Sequence, residues 1–349
     1  MGKTYLENAW YFGGWSKDMA PASARQLQCA ERELALYRSE TGAVHAIGDR
    51  CPHRFAPLHL GKVKGEILEC GYHGLQFGAG GDCVFNPHMK GARSGAVAVP
   101  SYATIERDGA IWVWLSQRAK PDPSLIPDFS FLSTLPDTAM APVATMEVRA
   151  DYELLIDNLL DPTHAEFLHA GVLGGDGLLL SVKPAMRTAG QMVEYSWSFD
   201  GRIAVPVLRT YMPDVADVDT WLTITWYAPT VVVVQAGIKP AGAPREEGRF
   251  HEIYHICTPG LHNRTVYDVM TTRNFDFDNA ALTEKTVESL GYAFTHQDKP
   301  MIEAQQAMMG DADFWELKPA LFPSDAPGVS VRRTLQQMID ESADALLVA

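Results

Sequence analysis

Two short clusters in this chain could do metal chemistry: Cys51-Pro52-His53, then sixteen intervening residues, then Cys70-Gly71-Tyr72-His73. Thiolates and neutral imidazoles are donors for zinc and for iron–sulfur centres alike. A structural zinc site accepts two cysteines and two histidines, but its usual spacing pairs like with like, C-x2-4-C and then H-x3-5-H. Here each loop offers one of each. That interleaving suits a two-iron cluster in which two thiolates hold one iron and two imidazoles the other, each loop donating once to each iron. Zinc stays open on donor type alone.

A second constellation lies downstream in Asp157-Asn158-Leu159-Leu160-Asp161-Pro162-Thr163-His164-Ala165-Glu166-Phe167-Leu168-His169. Five positions on a regular helix turn His164 and His169 about 140° apart, so a shared metal requires the helix to bend or end near there. Pro162 supplies a cause, because it removes a backbone donor and disfavours helix at Asp161. Two histidines and one carboxylate on one face, with other positions open, form the triad that holds iron(II) for oxygen activation. The carboxylate need not be local: Asp298, in Thr295-His296-Gln297-Asp298-Lys299-Pro300, is the candidate, with Asp157, Asp161 and Glu166 as rivals by proximity. His255 and Trp226 sit in strands that would face such a metal and are candidate pocket residues, although core packing explains them as readily. His45, His59, His88, His251, His262 and His296 read as surface or structural, and Cys29, Cys83 and Cys257 as small buried residues.

The elements that must position these groups fall into two parts. Residues 1–120 read as a small all-β domain, with short strands at Leu34–Tyr37, Ala43–Ile47, Ile67–Cys70 and Ala110–Trp114 and a hairpin turn at Gly78–Asp82. A proline-rich stretch from Lys120 to Asp128 marks the boundary. Residues 121–349 read as an α+β domain, a central antiparallel sheet with flanking helices. Its helices are predicted at about Tyr152–His169 and Asn279–Met308, and its strands at Thr220–Tyr227, Val231–Ala236 and Glu252–Cys257. The length of 349 residues fits two domains, and 46% apolar with 21% charged residues is the composition of a globular enzyme. A net charge of −14 without a basic cluster argues against nucleic acid as a partner. No apolar run is long enough to span a bilayer and the start lacks a signal-peptide core, so a cytoplasmic location is expected. Five cysteines do not make a disulfide framework.

Taken together, the cluster signature in Cys51-Pro52-His53-Arg54-Phe55-Ala56-Pro57-Leu58 and Tyr72-His73-Gly74-Leu75, Asn8-Ala9-Trp10-Tyr11 at the start, and Asp157-Asn158-Leu159-Leu160-Asp161 resemble the oxygenase component of Rieske non-haem iron oxygenases over essentially the whole chain. The aromatic O-demethylases of the vanillate and dicamba type are the nearest likeness. The resemblance implies [2Fe-2S] ligands Cys51, His53, Cys70 and His73, and iron ligands His164, His169 and Asp298. It implies Asp161 as a bridge between the two centres across a subunit boundary of a homotrimer, with Asn158 near the iron. It implies O2 as co-substrate, a small methoxylated aromatic acid as substrate, and a separate NAD(P)H-dependent reductase or ferredoxin, since the chain carries no nucleotide fingerprint. Leu75 stands where many ring-hydroxylating relatives have Trp, which favours demethylation; ring or methyl hydroxylation is the leading alternative. A Rieske electron carrier without oxygenase activity is the alternative from another class.

Overall fold

The computed structural model describes residues 3–348 apart from 91, 93, 172, 175 and 176. Contacts divide the chain into two compact units. The first runs to Ser133 and includes Thr258–His262 and the chain from Met338 on; the second comprises Thr134–Cys257 and Asn263–Gln337.

The first unit is all-β, as expected. A six-stranded antiparallel sheet has the order Trp10–Trp15, Ala110–Trp114, Ser101–Arg107, Val44–Gly48, Arg32–Arg38, Ser23–Cys29. A five-stranded sheet follows chain order from Lys62–Lys64 through Ile67–Glu69, Gln76–Phe77 and Asp82–Phe85 to Ser94–Ala98, with the expected hairpin at Gly78–Asp82. The boundary lies later than residue 120. Proline cannot extend a strand, but the carbonyls of this stretch remain acceptors. The indole of Trp10 donates to the Asp122 carbonyl (2.7 Å), that of Trp114 to Ala119 (3.0 Å), and Arg107 to Pro123 (2.7 Å). Phe129 then packs against Trp112, ring centres 5.6 Å apart. The segment is a strap on the first unit rather than a free linker.

The second unit is α+β. Its seven-stranded antiparallel sheet has the order Met140–Val148, Thr265–Arg273, Arg249–Pro259, Val231–Pro240, Val218–Tyr227, Met192–Phe199, Ala185–Ala189. Side chains on a strand alternate between faces, so register decides which residues share a surface. Three cross-strand rows share one face: Leu222–Ala236–His251, Ile224–Val234–Ile253 and Trp226–Val232–His255. On the other face Trp221 lies across Gly237, where an added Cβ would come within 2.1 Å of the indole, so only glycine fits.

Two helices carry the second constellation. Tyr152–Leu160 is capped by the Asp151 carboxylate, which accepts from the Glu153 amide (2.9 Å), and it buries Tyr152, Leu154, Leu155, Ile156, Leu159 and Leu160. Burying side chains of this size contributes roughly 1.5–3 kcal/mol each. The helix stops at Leu160 rather than reaching His169, and a tight turn over Pro162–Glu166 follows, which is the break that Pro162 required. The segment predicted as one helix over Asn279–Met308 is helix at Ala280–Tyr292 and Lys299–Met309, joined by a π-helical turn over Ala293–Asp298. Pro300 lacks the N–H that an α-helix would aim at the preceding turn, and the Lys299 amide instead reaches the Phe294 carbonyl five residues back. A long helix at Ala326–Val348 went unpredicted, although Val331, Leu335 and Ile339 recur at helical spacing and are all buried. No described helix is long and apolar enough to cross a membrane.

Candidate metal centres

The two cluster loops are built on one backbone plan. In the first, the Cys51 amide donates to Ala56 (2.9 Å) and the Phe55 amide to Cys51 (2.8 Å); in the second, Cys70 donates to Leu75 (2.8 Å) and Gly74 to Cys70 (3.0 Å). The fifth residue of each, Phe55 and Gly74, has a left-handed backbone, φ +60° and +71°. Glycine adopts that conformation without strain, whereas Phe55 is held there by the loop's hydrogen bonds. Each loop thus turns its cysteine inward and its histidine back over it. The His53 and His73 rings lie 4.5 Å apart, and both cysteines are buried.

The donor set fits a [2Fe-2S] cluster. His73 Nδ1 is buried without a hydrogen-bond partner, which native structures rarely tolerate unless something else binds the atom. Burial pushes the Cys51 thiol up to about 11, while the backbone amides of His53 and Arg54 point at its sulfur and work the other way. Those amides are ready donors to a thiolate, the form a metal imposes. His88, read from sequence as surface or structural, is a third imidazole beside the cluster, 5.4 Å from His53 and 5.8 Å from His73.

In the second unit His164, His169 and Asp298 come together with one ligand atom each inside 4.8 Å, the one such group of three among the described residues. His169 Nε2 lies 3.1 Å and His164 Nε2 3.6 Å from Asp298 Oδ1. Both rings are aimed by what holds their other nitrogen: His164 Nδ1 contacts the Asp161 carbonyl (2.5 Å) and His169 Nδ1 contacts Gln297 Oε1 (2.8 Å). Such partners fix tautomer and orientation. Burial opposes charge on His169, yet the Asp298 carboxylate more than offsets it and the imidazole stands above its ordinary pKa; the spot attracts positive charge. His169 and Asp298 are buried, while the side chain of His164 is 26% exposed, so the group opens on that side.

The rival carboxylates are engaged elsewhere. Asp157 and Glu153 share the Arg332 guanidinium, and Glu166 accepts from the amides of Gly177 and Leu179. Asp161 caps the Pro162 turn, its Oδ1 accepting from the Thr163 amide (2.9 Å) and hydroxyl (2.6 Å). Its contact to His164 within one chain runs through its carbonyl rather than its carboxylate, which corrects that half of the expected bridge. Asn158 Nδ2 sits 3.4 Å from Asp298 Oδ1. Gln297 was missed because an uncharged residue beside a charged one gives no signal; the π-turn lets Gln297 and Asp298 grip opposite nitrogens of His169. Replacing Gln297 by Leu is expected to weaken iron retention roughly ten- to a hundred-fold, read by metal content after dialysis against a chelator. Unchanged retention would show that Gln297 does not orient the ring.

A cleft of about 650 Å³, counted out to its mouth, opens against the triad. Its walls include Leu173, Leu179, Val205 and Phe294, and its floor is the sheet face carrying Leu222, Ile224, Val234 and Ile253. Among the described residues no lysine or arginine lines it. His255 is there, as expected, with Nδ1 2.6 Å from the Tyr267 hydroxyl. Trp226 shares the rung of His255 but does not line the cleft: it is fully buried and its indole faces the Pro229 carbonyl (3.3 Å), so core packing is its role. His251, passed over in the sequence, lines the cleft at the far rung.

Comparison with known proteins agrees with this layout. Residues 9–103 match the Rieske [2Fe-2S] domain and residues 148–341 the vanillate O-demethylase oxygenase C-terminal domain. The chain is 34% identical to the oxygenase component of chloroacetanilide N-alkylformylase from Rhizorhabdus wittichii, over 99% of both chains. It is 32% identical to the vanillate O-demethylase oxygenase subunit of a Pseudomonas species, again over 99% of both. Among solved structures it resembles dicamba monooxygenase bound to 3,6-dichlorosalicylic acid, with a TM-score of 0.86 and 29% identity, covering 98% of this chain and 99% of that one.

Proposed function

The chain belongs to the Rieske non-haem iron oxygenases, in the branch whose catalytic domain is of the vanillate O-demethylase type, and from that premise we propose that it removes the methyl group of a small methoxylated aromatic acid. It is an O2-dependent oxidoreductase with a [2Fe-2S] cluster and a mononuclear iron. The cleft carries the reading: a triad with an open side faces a space lined chiefly by apolar side chains.

Cys51, His53, Cys70 and His73 would hold the cluster, and His164, His169 and Asp298 the iron. When bound, the cluster passes on single electrons and the iron activates oxygen. The protein's own part is placement. Gln297 and the Asp161 carbonyl aim the two imidazoles, Asn158 steadies the Asp298 carboxylate, and the apolar walls keep water from the reacting methyl. One oxygen atom enters a C–H bond of the methoxy group, and the hemiacetal so formed breaks to a phenol and formaldehyde. The other oxygen leaves as water with two electrons and two protons.

Those electrons come from NAD(P)H through a separate reductase or ferredoxin, in the cytoplasm. The exposed Phe55, Leu60 and Tyr72 on the cluster loops support docking of another protein there. The assembly proposed is a homotrimer in which each cluster serves a neighbour's iron, with the Asp161 carboxylate taking the neighbouring His73 at the boundary. Asp161→Asn should keep both metals and slow single-turnover electron transfer about ten-fold or more, the cost of losing a charged hydrogen bond. Transfer at the normal rate would remove Asp161 from the path. For the reaction itself, methoxylated and methylated benzoates are supplied with oxygen and a reductase and formaldehyde is measured. Release from methoxybenzoates is the expected result; hydroxylated product without formaldehyde would establish ring or methyl hydroxylation instead.

A further inference from the structure

The cleft floor is apolar except at its two ends. On the strand Arg249–Pro259, His251 and His255 occupy the first and third rungs of the same face, about 13 Å apart at roughly 3.4 Å per residue. The triad lies at the His255 end, where Phe294 of the π-turn packs on the His255 ring at 5.2 Å. His251 is the polar group at the opposite end.

Both imidazoles are built the same way. His251 Nδ1 lies 2.8 Å from the Tyr211 hydroxyl and His255 Nδ1 2.6 Å from the Tyr267 hydroxyl. Neither hydroxyl has another hydrogen-bond acceptor among the described residues, so each gives its proton to the imidazole. That assigns the tautomer in which Nε2 carries the hydrogen, leaving a donor at each end. Burial pushes His251 down to about 4, so this donor is neutral near pH 7.

Behind His251 stands a buried cation. Arg273 and Tyr211 line one small cavity together with the other side of His251. The Arg273 guanidinium donates to the carbonyls of Phe275, Thr138, Asp276 and Asn279 and to the Thr283 hydroxyl, and no carboxylate pairs with it among the described residues. Its positive charge is partly offset by the nearby Asp276 carboxylate, and burial works against the charged form. Tyr211 and His251 thus place a donor N–H at one spot of an otherwise apolar floor.

We infer that His251 is the specificity-determining residue of this site, its Nε2–H receiving the carboxylate of an aromatic acid whose methoxy group lies across the ring, at the triad. The inference rests on the demethylase reading for the methoxy group. It adds the position of the acid: a para-carboxylate reaches His251, whereas an ortho-carboxylate would be carried with the methoxy group to the His255 end, where Phe294 packs against the imidazole.

The test is calorimetric binding to the holoenzyme, with 4-methoxybenzoate, 2-methoxybenzoate and anisole as probes. The para-acid is expected to bind best. In His251→Leu the ratio of para-acid to anisole affinity should fall roughly ten- to a hundred-fold, the usual worth of a hydrogen bond to a charged group. His251→Gln, which restores an N–H donor, should recover most of it, and an unchanged content of mononuclear iron certifies that the second unit of each variant is folded. An unchanged ratio in both variants, or a wild type that prefers the ortho-acid, would overturn the inference. Absence of formaldehyde from a tightly bound para-acid would defeat the demethylase reading alone and leave the placement of the acid standing.

Discussion

Replacing Asp298 by Ala should abolish turnover while leaving the protein folded and its cluster signal intact. The two histidines share this one carboxylate, at 3.1 and 3.6 Å, and the nearby acids are tied up by Arg332, by backbone amides or by the Pro162 turn. Among the described residues nothing is placed to substitute for it. Removing a group that merely orients a ligand costs about ten- to a hundred-fold, so removing the ligand should cost at least a hundred-fold in iron affinity and in formaldehyde formation. Metal analysis should show the cluster irons alone. Asp298→Glu is a milder change, whose longer stem displaces the carboxylate toward His169. If Asp298→Ala kept its mononuclear iron and turned over within ten-fold of the parent, the triad would not be the iron site.

Cys70→Ser should erase the visible colour and the EPR signal of the reduced protein, and with them all turnover that depends on a reductase. The loops converge on buried Cys51 and Cys70, and the orphaned His73 Nδ1 has no protein partner to fall back on. Without a cluster the first unit also loses the bonds that join its two loops, so its melting temperature should fall by several degrees, about 2–4 °C per kcal/mol for a unit of this size. The second unit has its own sheet and its own triad. Iron should therefore still bind there, and hydrogen peroxide, which stands at the level of dioxygen plus two electrons, should support residual demethylation. A coloured, EPR-active Cys70→Ser protein would remove Cys70 from the ligand set. Loss of the mononuclear iron as well would show that the second unit does not hold its site independently.

Much of this site is legible in the chain. Cys51, His53, Cys70 and His73 announce themselves because donor type is a property of the residue and their spacing keeps each pair within one short loop. Pro162 likewise gives a cause for the helix to bend or end near the two histidines, and it ends at Leu160. The failures share a different character. Nothing local separates Asp298 from Asp157 or Glu166 as the third ligand: the choice depends on Arg332, some 175 positions from Asp157, capturing one rival and on the Gly177 and Leu179 amides capturing another. Gln297, His88 and His251 gave no signal, since a lone polar residue carries no spacing that marks it as part of a site.

The sequence alone determined which chemistry is possible, because thiolate, imidazole and carboxylate donors and the helix-breaking proline act through bonds within a few residues. Tertiary structure decided which of those groups meet. The π-turn sets Gln297 and Asp298 on one ring, strand register sends His251, Ile253 and His255 to a common face and Trp226 into the core, and the carbonyls of the proline strap move the domain boundary. These outcomes rest on packing and hydrogen bonds between segments from a few to more than a hundred residues apart, whose energies are comparable for several competing partners until the whole fold selects one.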